Sequence, residues 1–125
     1  MLRRTRLRSR RPTPRRSDRE RDLAYLSWLH TQRCWAVGLE GHQCEGPIEA
    51  DHMGVRPMGR KADDATAAPL CMLAHRQRTD FSGPFRSWDR AKMRGWLDAA
   101  IAHHQRRYAY HLAQLAALGR SAGEP

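Results

Sequence analysis

The sequence predicts a small α+β domain in which two short strands and a short helix lie between an N-terminal helix and a long C-terminal helix. Three observations predict it. Apolar residues recur three or four apart from Leu23 to Leu29 and again from Met93 to Leu115, which is the helical period. Ile48-Glu49-Ala50-Asp51 alternates in polarity and Ala67-Ala68-Pro69-Leu70-Cys71 is a short apolar run, patterns that suit strands. Glycine and proline punctuate the stretches between them.

Taken in order, Pro12 and Pro14 oppose helix inside an arginine-rich stretch with nothing to bury. Residues 1–17 are therefore expected to be a disordered arm, residues 18–118 one domain, and residues 119–125 a frayed end. Ser17 and Glu20 have capping-box spacing. A helix should follow to about Thr31, with Leu23, Leu26 and Leu29 on one stripe beside Tyr25 and Trp28. Cys34 to Pro47, broken by Gly38, Gly41 and Gly46, suits a knuckle or hairpin. The first strand then puts Ile48 and Ala50 on one face and Glu49 and Asp51 on the other. Met53 to Thr66 reads as a polar loop. Pro69 restricts the second strand to an edge or a terminus. A helix from Met72 to Arg78, a turn at Ser82-Gly83-Pro84 and a helix from Asp89 to about Gly119 complete the chain. Trp96, Leu97 and Ile101 should face the compact unit, with Trp88 packed at the helix start. His103, His104 and His111 read as packing or solvent-facing residues.

A chain of 125 residues builds a thin core, and such domains often recruit a metal or disulfides. Three cysteines are an odd number, and no apolar leader or membrane-length run is present. A reducing cytoplasm is expected rather than a secreted disulfide framework, and no membrane partner. The net charge of +10 is concentrated near the start: ten arginines stand against Asp18 and Glu20 within residues 1–21, a surplus of eight, leaving two for the rest. Arg3, Arg4, Arg6, Arg8, Arg10, Arg11, Arg15 and Arg16 thus form a basic arm suited to phosphate oxygens without reading sequence. DNA is the expected partner, RNA stays open, and a solubilising tail is the bland alternative.

Asp51-His52 at a strand end, Asp64 in the following loop and Cys71-Met72-Leu73-Ala74-His75 opening a helix resemble the HNH endonuclease (ββα-metal) pattern. The resemblance spans roughly residues 23–105. It is closest to phage and bacterial members, which include recombination-enhancing nucleases. Tyr25-Leu26-Ser27-Trp28-Leu29 before the first cysteine, and Gly59-Arg60-Lys61-Ala62-Asp63-Asp64 before Pro69-Leu70-Cys71, carry that likeness. It implies Asp51 and His75 as ligands of a divalent metal, Mg²⁺ or Mn²⁺ or another transition metal, and His52 as general base. Where the family usually has Asn, this chain offers Asp64, with Asp63 and Thr66 nearby. Asp80 is a weaker further ligand. A recombination or packaging protein is the implied partner, and Leu112, Leu115 and Leu118 offer a surface for a homodimer.

The chemistry of these residue types agrees with the resemblance. Phosphodiester hydrolysis needs an activated water and stabilised charge on phosphate and leaving oxygen. An imidazole titrating near neutrality suits the water, which points to His52. Adjacent strand residues face opposite ways, so Asp51 and His52 share a site only where the strand ends. Glu49 reads as a solvated residue or a support for a ligand. Arg56, Arg60 and Lys61 fall in the loop that the resemblance implies would lie near the DNA backbone, as phosphate contacts or as solvated charge. Many HNH proteins also clamp a structural zinc with CxxC pairs, but Val37 and Ala74 stand where the second cysteines would. Cys34, Cys44 and Cys71 remain, with His42 able to complete a tetrahedral Zn²⁺ site. The competing reading is a vestigial site with cysteines buried as small apolar residues. A non-catalytic zinc-knuckle nucleic-acid-binding protein, and an RNA-binding accessory protein relying on the arm, are the rival functions.

Overall fold

The computed structural model describes residues 22–52 and 64–123. Helix α1 spans Leu23–Leu29, strands β1 and β2 span Ile48–His52 and Ala67–Cys71, and helices α2 and α3 span Met72–Asp80 and Arg90–Gly123. Two 3₁₀ turns, Asp64–Thr66 and Gly83–Phe85, precede β2 and follow α2. The two strands pair antiparallel, with Ile48 opposite Cys71 and His52 opposite Ala67. The α+β class is as the sequence predicts.

Pro69 stands in the middle of β2, not at its terminus, and pairs with Ala50. Its carbonyl accepts from the Trp35 N–H at 2.9 Å, on the side away from β1. A strand residue's N–H and C=O point the same way, so the donor that proline lacks would not have bonded β1, and no ladder bond is lost. All five residues of β2 are buried, and four are small or compact enough for helices to close over them.

Helix α1 departs from the expected stripe. Tyr25 and Leu29 are buried while Leu23 is exposed. The Tyr25 hydroxyl donates to the Ala67 carbonyl at 3.1 Å, which turns that face toward β2. Asp22 caps the helix, accepting from the Tyr25 N–H at 3.0 Å. The Ser17 and Glu20 pair lies outside the described residues. Helix α3 runs to Gly123, past the expected stop near Gly119. Ala116, Ala117 and Leu118 before Gly119 and Arg120 after it are good helix formers, and one internal glycine costs only about 1 kcal/mol against alanine. With 34 residues α3 is about 51 Å long. Met93, Leu97 and Ala100 sit in the core, with Trp88, Trp96 and Ile101 packed against it, as the sequence predicts. His104 is buried and donates to the Ala100 carbonyl at 2.7 Å; burial holds its pKa below the usual histidine value. Leu112, Leu115 and Leu118 lie exposed on the distal half. Among the described residues no helix is long and apolar enough to cross a membrane.

The knuckle between α1 and β1 closes onto α2. The Pro47 and Glu45 carbonyls accept from the Met72 and Leu73 N–H groups at 2.9 and 3.1 Å, satisfying first-turn donors of α2. The chain turns into this contact at Gly46, whose φ is +80°, and a Cβ there would meet the Met72 Cβ at 2.7 Å. Gly46→Ala should therefore lower unfolding stability by about 1–3 kcal/mol, read from urea denaturation.

Candidate functional site

Two clusters of chemistry sit on this frame, and both depend on where β2 becomes α2. The first gathers Cys34, His42, Cys44 and Cys71, whose ligand atoms all lie within 4.8 Å of one another. His42 Nε2 is 3.3 Å from Cys44 Sγ, 3.8 Å from Cys71 Sγ and 4.0 Å from Cys34 Sγ. Sulfurs sharing a tetrahedral zinc at their usual bond length are about 3.8 Å apart, so the cluster has the right size. The missing CxxC partners are replaced from within the knuckle, by His42 and Cys44.

The donor chemistry fits a soft or borderline cation. All three cysteines are free thiols rather than disulfides. Burial pushes the Cys34 thiol up to about 12 and raises Cys44. At Cys71 burial also raises the thiol, but N–H donors from Ala74 and Glu45 and the neighbouring thiols outweigh it and leave the pKa lowered. Burial lowers the pKa of His42, keeping the neutral ring a metal ligand needs. These four residues could hold a metal ion such as zinc. Cys71 has a second task, since its sulfur caps α2 by accepting from the Ala74 N–H at 3.4 Å.

The second cluster surrounds the end of β1. Asp51 is only 2% exposed and receives the Arg78 guanidinium as a fork: Nε donates to Oδ2, and Nη2 to Oδ1 at 2.7 Å. His75 Nε2 lies 3.4 Å from Asp51 Oδ1, while His75 Nδ1 donates to the Glu49 carboxylate at 3.0 Å. The ring thus stands between two carboxylates, with Nε2 facing the Asp51 oxygen that Arg78 also contacts. The separation also suits two ligands of one cation, since oxygen and nitrogen donors bound at about 2.1 Å lie about 3.0–3.4 Å apart. Glu49 orients the ring in the way that a carboxylate supports a metal-binding histidine.

His52 takes a different partner. Its Nε2 donates to Asp64 Oδ1 at 2.8 Å, and Asp64 Oδ2 accepts the Asp22 N–H at 2.9 Å. Asp64 is fully buried, so the carboxylate is tied to both the imidazole and the start of α1. Holding the proton on Nε2 leaves Nδ1 of His52 as the basic nitrogen. His52 is the last described residue of β1.

The structure thus brings Asp51 to His75 and His52 to Asp64, and the two pairs join through one peptide bond. Asp80 is exposed and shares a cleft of about 270 Å³ with Glu49 and His75. Arg3, Arg4, Arg6, Arg8, Arg10, Arg11, Arg15 and Arg16, and the loop residues Arg56, Arg60 and Lys61, lie outside the described residues. Sequence inspection missed Arg78. Its signal was present: a buried acid at β1 demands a cation, and Arg78 lies three residues beyond His75 on the same helix face. The chain matches no protein-family model, no curated protein and no solved structure.

Zinc added to metal-free protein should bind one ion per chain through the Cys34, His42, Cys44 and Cys71 atoms, and cobalt in its place should give a thiolate-to-metal absorption band. Because binding must displace thiol protons, Cys34 above all, apparent affinity should rise with pH between about 6 and 8. Cys44→Ser should lose the band and lower the melting temperature of the zinc-loaded chain.

Proposed function

We propose that this chain is a metal-dependent endonuclease of the HNH type that hydrolyses DNA phosphodiester bonds. The observation that carries the proposal is His52 held by buried Asp64, one residue beyond an Asp51 that lies 3.4 Å from His75. A base with an orienting carboxylate thus stands beside a carboxylate and an imidazole able to share a cation.

In this mechanism His52 Nδ1 takes the proton from the attacking water as the water oxygen bonds to phosphorus and the P–O3′ bond breaks. Asp64 keeps the ring in the required tautomer and stabilises the imidazolium that forms. Asp51 and His75 would hold the divalent metal, Mg²⁺ or Mn²⁺ or another transition metal, with Glu49 fixing the His75 ring. Bound there, such a cation supplies Lewis acidity toward the scissile phosphate and the leaving oxygen. The Cys34, His42, Cys44 and Cys71 cluster serves stability by holding α2 in place. The arginines of residues 1–17, with Arg56, Arg60 and Lys61, are proposed to contact the DNA backbone, in a cytoplasmic setting and with a recombination or packaging protein or a second copy as partner.

A second reading has one observation in its favour. Arg78 already neutralises Asp51, as a protein without a catalytic metal would require. The chain would then be a non-catalytic nucleic-acid-binding protein built on a zinc knuckle.

Plasmid nicking with Mg²⁺, Mn²⁺ or EDTA separates the two. The nuclease should cut only with metal, and His52→Ala should cut about 10²–10⁴-fold more slowly while binding DNA as well as the parent. Equal DNA binding by both proteins and no cutting under any metal would establish the binder instead. Removing residues 1–17 should weaken cutting steeply at high salt yet leave it measurable at low salt; loss under all conditions would favour an RNA- or DNA-binding role resting on the arm alone.

A further inference from the structure

We propose that Arg78 is a built-in competitor for the cation at Asp51 and His75, so that metal loading must first displace the guanidinium. The proposal rests on the nuclease reading, because that reading names Asp51 and His75 as the metal pair.

The geometry sets the two occupants against each other. Both oxygens of Asp51 accept from the Arg78 fork, and the nearer donor to Oδ1, Nη2, sits 2.7 Å away. Among the described residues, His75 Nε2 also faces Asp51, 3.4 Å from the same oxygen. A divalent ion bound between Oδ1 and Nε2 would therefore stand within a few ångström of a guanidinium, around a carboxylate that is 2% exposed. Water screens such repulsion poorly at a buried site. Arg78 has somewhere to go, since its side chain is 17% exposed and starts on α2 one turn beyond His75. A guanidinium cannot be neutralised by giving up its proton, so it must move.

This arrangement has a logic for a thin domain. Asp51 would otherwise be a buried, unpaired carboxylate whenever metal is scarce, and buried charges without partners are strongly destabilising. Arg78 pairs the acid and holds it in position beside the imidazole with which it would share a cation. The consequence is a metal affinity set below what the ligands alone would give, and therefore a site that loads only above a threshold of free metal.

The test is calorimetric titration of Mn²⁺ into the full-length, zinc-loaded chain, comparing the parent with Arg78→Gln, Arg78→Lys and Asp51→Asn. Arg78→Gln should bind Mn²⁺ about tenfold more tightly or better, since it removes both charge-assisted bonds that Mn²⁺ must break. Arg78→Lys should fall between it and the parent, and Asp51→Asn should show no saturable binding. A merely structural Arg78 predicts the opposite sign: a loosened Asp51 and weaker Mn²⁺ binding. Equal or weaker binding in Arg78→Gln overturns the proposal, and if that variant does not fold, the same comparison is made with Arg78→Lys. Cutting measured on the same proteins separates this outcome from the nuclease reading. Tighter Mn²⁺ binding without cutting by any variant upholds competition and removes the nuclease. Metal-dependent cutting by the parent, with no gain in affinity in either Arg78 variant, removes competition and leaves the nuclease.

Discussion

Cys71 joins the parts on which the rest of the molecule depends. It is the last residue of β2, its sulfur caps α2 at the Ala74 N–H, and the same sulfur belongs to the cluster with Cys34, His42 and Cys44. A helix that starts from a fixed sulfur has a fixed direction, and the direction of α2 decides what β1 meets. His75 and Arg78 face Glu49 and Asp51 only because α2 leaves the sheet at that angle. The knuckle reinforces the angle through the Pro47 and Glu45 carbonyls, which hold the next two N–H groups of the helix. A small core with few large side chains relies on such polar junctions more than a large one does.

The two buried carboxylates show how charge organises the interior. Asp51 and Asp64 are each nearly or fully buried, Asp51 beside the Arg78 guanidinium and the His75 ring, Asp64 against the His52 ring and the Asp22 N–H. Burial of an acid is tolerated only with such partners. Their positions divide the work: Asp51 looks to α2 and its cations, while Asp64 binds an imidazole and the first backbone N–H of the α1 cap. Each acid therefore ties the sheet region to a different helix. Gln105 adds a third tie, donating to the Ala65 carbonyl from α3 at 2.8 Å.

Much of this was legible in the sequence because it is local. Alternation at Ile48 to Asp51 placed β1, and the apolar run at Ala67 to Cys71 placed β2. Residue chemistry alone selected His42 as the fourth member of the cysteine set, even without a CxxC pair. Partners set by long-range packing were harder to see. Arg78 meets Asp51 across 27 positions, and only its place three residues beyond His75 sets it apart from Arg76. The buried face of α1 was misjudged because counting leucines favours Leu23, whereas the Tyr25 hydroxyl and its carbonyl on β2 choose the face. The end of α3 was misjudged because Gly119 and the small residues after it read as a stop, although the alanine- and leucine-rich turns before it carry the helix past a glycine.

Pro69 has one more consequence. Its carbonyl is taken by Trp35 on the outer side of β2, and on the outer side of β1 the Ile48 carbonyl accepts from His30 Nδ1 at 2.7 Å. The rim of β2 is also met by the Tyr25 hydroxyl at the Ala67 carbonyl and by Cys34 Sγ at the Cys71 N–H, and the proline offers no amide hydrogen at its centre. A third strand from another molecule would have to break these contacts before it could zip onto the ladder. So small a sheet is guarded against edge pairing by side-on contacts and a single ring, without the long charged borders that larger sheets use.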